Sequence, residues 1–324
     1  MKKIGLFGYG VVAKGFYTAL AQNPHLNVEI TKICIKNGGK NRDLDNALFT
    51  TNASEILDDP EIDIIVELID DSAAAKEIIS HALETGKAVI SANKKMIADN
   101  IGDVANWHNV YPQAFLYDAA VTGSIPILQT IEQFIAKQEI ISIRGILNGS
   151  CNYILSSMRQ DSLSFDDALK KAQQLGLAES NPTLDISGED ALNKLVILAY
   201  HAFGILADKK EARLEAITNM EDWFYEAAAA NNQKIKLIAT AKEHNGKIKL
   251  KVQPELVSKD DELFGVEFET NAVSVESNLA GKQTYVGKAA GSLPTAAAVI
   301  NDLTLLLSGF KYGIQKRNNQ LMSA

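Results

Sequence analysis

Near the N-terminus, short apolar runs alternate with stretches of helical spacing. Ile4-Gly5-Leu6-Phe7 ends in glycines, and Val12, Phe16, Ala19 and Leu20 then recur as on one face of a helix. Val28 to Ile35 is rich in β-branched residues and predicts a second strand. Ile62 to Val66 predicts a third, Ala88-Val89-Ile90 a fourth and Ala114 to Tyr117 a fifth. Between the third and fourth, Ala73 to Leu83 predicts a helix stopped at Gly86. Strands with helices between them imply parallel pairing through right-handed crossovers, a doubly wound α/β sheet.

After about Pro126 the pattern changes. A helix over Ile127 to Ala136 leads into a strand over Ile140 to Leu147, and two helical segments follow at Tyr153 to Arg159 and Phe165 to Leu175. A long helix is expected from Gly188 to about Phe203, buried because Leu192, Leu195, Val196 and Ala199 recur at helix spacing. Between Lys234 and Glu276 the alternating runs Lys247 to Val252, Val266 to Glu269 and Val273 to Val275 predict further strands. A last helix, about Thr295 to Leu307, is apolar on most sides and needs cover on several faces, so it is expected to return to the first domain. The expected division is residues 1–130 with about 295–324, and residues 131–294.

Length supports that division, since 324 residues exceed what one core usually serves. The net charge of −8 argues against nucleic acid as a partner, and the cations Lys36, Lys40 and Arg42 form a local cluster rather than a stripe. Two cysteines, Cys34 and Cys151, are too few for a disulfide framework, and Cys34 in Ile33-Cys34-Ile35 is expected to be buried. Glycines break the apolar stretch after Lys2 and Lys3, which reads as no secretory signal. The longest apolar region, Leu195 to Ala207, contains His201 and Gly204, so no membrane span and a cytoplasmic location are expected.

Gly8-Tyr9-Gly10-Val11-Val12-Ala13 follows a strand and opens a helix, the setting in which such glycines bind a dinucleotide. Gly8 permits a tight turn, Gly10 lets backbone approach a pyrophosphate, and Ala13 keeps helix and strand close. A merely tight turn is the alternative. No acidic residue ends the second strand; Lys36, Lys40 and Arg42 stand there instead, which favours NADP over NAD unless they only line a solvated loop.

Ala92-Asn93-Lys94-Lys95 lies after the fourth strand, at the edge where ligands bind in open α/β sheets, although a solvated lysine there is ordinary. Lys194 falls inside the buried helix, where desolvation of a lone ammonium readies it for proton exchange near neutral pH. Asp190, at i−4, shares its face, so a routine surface ion pair is the competing reading. The loop from Gly176 to Asp185 carries Glu179 and Asp185, suited to a substrate ammonium or to capping. Asn148-Gly149-Ser150-Cys151-Asn152 ends a strand and starts a helix whose N–H groups suit a carboxylate. The five histidines show no metal spacing, which argues against catalytic zinc.

Taken in order, these segments resemble the homoserine dehydrogenase family over nearly the whole chain. The matches are Gly8 to Ala13, Ala92-Asn93-Lys94, Ala119 to Pro126, Gly145 to Ser150, and Gly287 to Asp302 with Leu293-Pro294-Thr295-Ala296. The most specific runs from Gly176 to Lys194, carrying Glu179, Asp185, Gly188, Asp190 and Lys194. The resemblance implies a Rossmann-type doubly wound parallel sheet joined to an α+β substrate-binding and dimerisation domain, in a homodimer or homotetramer. It implies reduction of L-aspartate 4-semialdehyde to L-homoserine, and the reverse, in threonine and methionine biosynthesis. Lys194 would exchange the proton, Lys94 would polarise the carbonyl, and Glu179, Asp190, Asp185 and Ser150 would hold the substrate. Gly8, Gly10, Val11, Val12, Ala13, Lys36, Lys94, Gly176 and Ala289 would line an NADP or NAD site. A sodium ion would be bound by Asp118 and by the carbonyls of Val121, Gly123 and Ile125. Four positions depart from the family: Asp118 stands for a more usual glutamate, Asp70 and Asp71 for glycines that would adjoin the pyrophosphate, and Ala289 for a glycine. Two rivals are another nicotinamide-dependent semialdehyde or amino-acid oxidoreductase, which would not need Glu179, Asp190 and Lys194 together, and a non-catalytic dinucleotide sensor, which would need neither lysine.

Overall fold

The computed structural model describes residues 1–38, 44–135, 138–288 and 291–314. Its first sheet is assembled from β1 (Lys2–Phe7), β2 (Val28–Cys34), β3 (Phe49–Thr50), β4 (Ile64–Glu67), β5 (Ala88–Ser91) and β6 (Phe115–Leu116), and all its pairings are parallel. The helices α1 (Val11–Ala21), α2 (Ser54–Leu57), α3 (Ser72–Glu84), α4 (Lys94–Asp99) and α5 (Ile101–Val110) alternate with these strands. The spatial order β3-β2-β1-β4-β5-β6 reverses direction between β1 and β4. That reversal opens a crevice at the carboxyl ends of the two strands, where ligands of such sheets bind.

The second sheet follows α6 (Ile127–Thr130), whose chain continues into wider π-type turns over Ile131–Ile135 instead of the uninterrupted α-helix expected; Ala136 lies outside the described residues. Next come β7 (Ile140–Ile146), α7 (Gly149–Gln160), α8 (Phe165–Gln174), α9 (Thr183–Ile186) and α10 (Glu189–Phe203). β8 (Arg213–Leu214) and α11 (Asp222–Ala230) precede β9 (Lys234–His244), β10 (Lys247–Val257), β11 (Thr270–Ser277) and β12 (Gly281–Lys288). The order is β12-β11-β7-β9-β10-β8, antiparallel except where the short β8 joins β10. Val266 to Glu269, expected as a strand, is a turn; Phe268 takes a left-handed backbone there, with φ 54°. One run of alternating side chains was too short to outweigh the turn that feeds β11.

α12 (Ser292–Leu307) belongs with the first sheet: Ala296, Val299 and Leu303 are buried in one core with Ile4, Leu6, Phe16 and Ile64. Met1–Ala120 with Gly291–Gly313 make one compact unit, and the described residues of Val121–Ala290 with Ile314 make the other. Cys34, expected to be buried, is half-buried at the end of β2, next to the two-residue edge strand β3, while Cys151 is buried; both are free thiols. Among the described residues no helix is long and apolar enough to cross a membrane.

Candidate active site

In the first unit, the chain leaves β1 at Gly8 with φ 92°. A Cβ there would stand 2.6 Å from the Leu68 carbonyl oxygen, so glycine is required both by conformation and by the loop after β4. Gly10, at the head of α1, faces open space: a Cβ there would meet nothing within 4 Å. No side chain caps α1 and no acidic residue occupies its first turn, so the helix's own side chains do not offset the positive end of its dipole. Val11 is exposed, Val12 half-buried, and Ala13 is packed into the core with Ile4 and Leu6. The close turn, the open face and the uncapped helix fit the pyrophosphate of a dinucleotide. Lys36 is exposed just beyond β2; Lys40, Arg42 and Ala289 lie outside the described residues.

The two carboxylates after β4 part company. Asp71 turns onto α3, accepting from the N–H groups of Ala73 and Ala74 at 3.1 Å each, so its charge is held at a helix N-terminus where it is favourable. Asp70 stays exposed. Asn93 caps α4, its Oδ1 accepting from the Met96 N–H at 2.9 Å, while its Nδ2 donates to the Ile69 carbonyl at 3.0 Å. Lys94 is therefore the first residue of a tethered helix at the carboxyl edge of the sheet, and it is half-buried.

In the second unit, Gly188 starts α10 with φ 86°, and Glu189 and Asp190 occupy the first turn, where the dipole favours them. Lys194 is not the lone ammonium that its apolar neighbours suggested. Its Nζ lies 2.9 Å from Asp190 Oδ2 and donates to the Leu147 carbonyl at 2.8 Å. Nor is this a surface pair, since the two side chains are only 11% and 8% exposed. Asn148 completes the cluster: its Nδ2 donates to Asp185 Oδ1 at 2.7 Å and to Asp190 Oδ2 at 2.8 Å, while its Oδ1 caps α7 through the Cys151 N–H at 2.7 Å. Buried Asn271 donates to the same Leu147 carbonyl at 3.0 Å.

Lys194, Asp190 and Asp185 are thus brought together by Asn148, which the sequence marks within a segment suited to a carboxylate rather than as a partner of these side chains. Ser150 is adjacent but its hydroxyl donates to the Leu177 carbonyl at 2.5 Å, which anchors the following loop. On that loop Gly176 (φ 71°) and Glu179 are exposed. Glu179's carbonyl accepts from Gln173 Nε2 at 2.9 Å, and its carboxylate makes no contact with the Lys194 cluster among the described residues. Asn271 carried no signal, since a single asparagine in a strand has no spacing to mark it.

The sodium ligands fit only in part. The Ile125 carbonyl already accepts from Thr122 Oγ1 at 3.0 Å and from the Ile127 N–H at 2.8 Å, which engages both lone pairs. Asp118, in the first unit, is buried beside Asp302, whose carboxyl is pushed far up by burial and then by the Asp118 charge. Among the described residues no three or more histidine, cysteine or acidic groups assemble as a metal site.

A family model described as homoserine dehydrogenase matches residues 126–304, and one described as homoserine dehydrogenase, NAD binding domain, matches residues 8–106. The chain is 35% identical over 311 residues to the homoserine dehydrogenase of Neisseria gonorrhoeae, covering 93% of this chain and 71% of that one. A homoserine dehydrogenase from Thiobacillus denitrificans shares the structure with a TM-score of 0.89 at 36% identity, over 94% of this chain and 73% of its own. A hyperthermophilic archaeal homoserine dehydrogenase in complex with NADPH gives a TM-score of 0.83 at 24% identity, over 96% and 99%, a likeness of fold.

Proposed function

The chain belongs to the homoserine dehydrogenase family, and from that premise we propose how its residues divide the work of interconverting L-aspartate 4-semialdehyde and L-homoserine. Lys194 is the proton donor in reduction and the acceptor in oxidation. The observation that carries this is its count of partners: among the described residues Asp190 and the Leu147 carbonyl take two of its three N–H groups, leaving one for a substrate oxygen. In reduction the carbonyl carbon gains a hydride and the oxygen gains a proton from Lys194 Nζ, so aldehyde becomes alcohol. A nicotinamide dinucleotide would supply the hydride when bound, and Gly8, Gly10, Val11, Val12, Ala13, Lys36 and Lys94 are the described residues of the first unit that would hold it.

Asp190 aligns the ammonium, and Asn148 keeps Asp190 and Asp185 in register. Lys94 polarises the carbonyl, Glu179 receives the substrate ammonium, and Asp185 and Ser150 shape the site between α7 and α9 from behind. Lys36 supports NADP over NAD. Gly176 borders the cofactor, and a cytoplasmic homodimer or homotetramer is the working form. Reduction of aspartate semialdehyde by the purified protein, followed by loss of nicotinamide absorbance, tests the reading; turnover absent with both cofactors would end it.

A further inference from the structure

We infer that Glu67, buried at the carboxyl end of β4, is a positioning residue for Lys94, ordering through Ser91 and Asn93 the loop and helix that carry it. The inference rests on the role given to Lys94 above. Glu67 is fully buried. Its Oε1 accepts from the Ile69 N–H at 2.8 Å, and its Oε2 lies 2.5 Å from Ser91 Oγ at the end of β5. Ser91 Oγ accepts in turn from the Asn93 N–H at 3.1 Å, and Asn93 both caps α4 and reaches back to the Ile69 carbonyl. One carboxyl therefore ties the ends of two neighbouring strands to the first turn of α4.

An apolar side chain would fill this place at less desolvation penalty. Burial pushes the carboxyl up to about 7, against the hydrogen bonds of Ser91 and Ile69, which lower it, and with Asp70, which raises it. Asp70 on the same loop is the charged group that acts on it; the elements that follow β4 and β5 carry Asp71 at the head of α3 and Lys94 at the head of α4. The facing strands contribute Phe7 and Ser91, which carry no charge. Every hydrogen bond in the circuit is made when Glu67 is ionised: Ser91 then donates to Oε2 and still accepts from Asn93. Protonation puts a competing hydroxyl against Ser91 Oγ. Lys94 is therefore held best above about pH 7, while stability moves the other way. The folded state binds the Glu67 proton more tightly than the unfolded chain, so stability falls as pH rises between the ordinary 4.5 and about 7.

The test compares wild type with Glu67→Gln and Glu67→Asp across about pH 6 to 9. In wild type, log kcat inflects near 7; Glu67→Gln loses the inflection and runs about ten-fold lower on the alkaline side, as a small misplacement of a reacting group would give. Its thermal midpoint there equals or exceeds that of wild type, and Glu67→Asp keeps the inflection. A persistent inflection in Glu67→Gln, or a lowered midpoint with kcat and KM worsened together, overturns the inference. If Glu67→Gln does not fold, a double-mutant cycle of Ser91→Ala with Lys94→Ala decides: non-additive losses support the inference and additive losses overturn it. Amide exchange at Met96 in the unliganded protein is independent of turnover. Faster exchange in Glu67→Gln supports the inference and unchanged exchange overturns it, even where wild type fails to reduce the semialdehyde and the functional reading falls.

Discussion

The second unit contains two buried lysines that face carboxylates, and they differ in how many protons they have left to give. Lys236 donates to Asn152 Oδ1 at 3.0 Å, to the Val266 carbonyl at 2.5 Å and to Glu267 Oε2 at 2.9 Å, so all three N–H groups are used by its own chain. Glu267 is equally committed, accepting also from Ser156, Arg159 and Lys234. Lys194 has two acceptors among the described residues and a slightly more exposed side chain, 11% against 1%. A closed cluster fixes a fold, whereas one with a donor to spare can act on a ligand. Burial and charge alone do not separate the two; the tally of partners does.

The sharpest way to break the comparison is to remove each lysine. Lys194→Ala should lower kcat by about 10²–10⁴-fold with the fold intact, as loss of a general acid–base group does. Lys236→Ala should do the reverse, costing on the order of 3 kcal/mol of stability because Glu267 loses a buried partner, while kcat per folded molecule barely changes. Thermal unfolding and steady-state kinetics on both proteins check this. Near-normal turnover in Lys194→Ala, or a stable Lys236→Ala that is inactive, would erase the distinction.

A cluster that acts on a ligand also needs a grip on it, which a structural cluster does not. Glu179→Gln should raise the homoserine KM by about ten- to a hundred-fold, the worth of one charge-assisted hydrogen bond, and leave cofactor affinity unchanged. Asp190→Asn should instead lower kcat, since it loosens the lysine more than the ground-state hold on substrate. A Glu179→Gln protein that kept its KM and lost cofactor affinity would show that the substrate has been misplaced.

The closed cluster has its own signature in acid. Burial pushes the Glu267 carboxyl up, but hydrogen bonds from Lys234 and Lys236 and the Lys236 charge outweigh it and leave the group at about 2. A carboxyl depressed in the folded state adds stability that is complete above its ordinary 4.5 and is lost as pH falls towards 2. The shift corresponds to about 3 kcal/mol. Glu267→Gln should therefore be less stable than wild type at neutral pH and lose less on acidification, as followed by denaturant unfolding. Parallel pH profiles would mean that the charge contributes nothing.

Much of this was legible in the chain beforehand, and the limits were physical. Gly8 and Gly10 stood out because a strand-to-helix turn that approaches a ligand has few other solutions, and Lys194 because an ammonium among Leu192, Leu195 and Val196 is anomalous at any spacing. Asn271 and Glu67 were not legible as site residues, and Asn148 only as the start of a segment whose N–H groups suit a carboxylate. Asn148 meets Asp185 and Asp190 from α9 and α10, Asn271 meets the Leu147 carbonyl just after β7, and Glu67 meets Ser91 from β5; these segments lie far apart in sequence, and a hydrogen bond across such a distance leaves no local pattern. Lys236 was hidden differently, because its alternation in β9 reads as an ordinary strand face until Glu267 is brought beneath it. The turn at Val266 to Glu269 was misread because four residues of suitable composition carry less weight than the neighbours that decide their pairing.

The smallest expected effect extends the comparison to a lysine at the protein surface. Lys36 stands exposed beyond β2, at the end of the strand where a dinucleotide's adenosine ribose would lie if the phosphates sit over Gly8 and Gly10. It has no ion-pair partner among the described residues, so its whole charge is available to a 2′-phosphate, but water and salt screen it there. An exposed pair is worth up to about 1 kcal/mol, or roughly five-fold. Lys36→Ala should lower kcat/KM for NADPH by that factor while leaving NADH nearly unaffected, and the NADPH loss should shrink as salt is raised. Buried Lys194, by contrast, should show little salt dependence in its own variant, because its partners lie out of reach of mobile ions. Equal losses with both cofactors would make Lys36 a contributor to general stability or steering rather than the group that reads the 2′-phosphate.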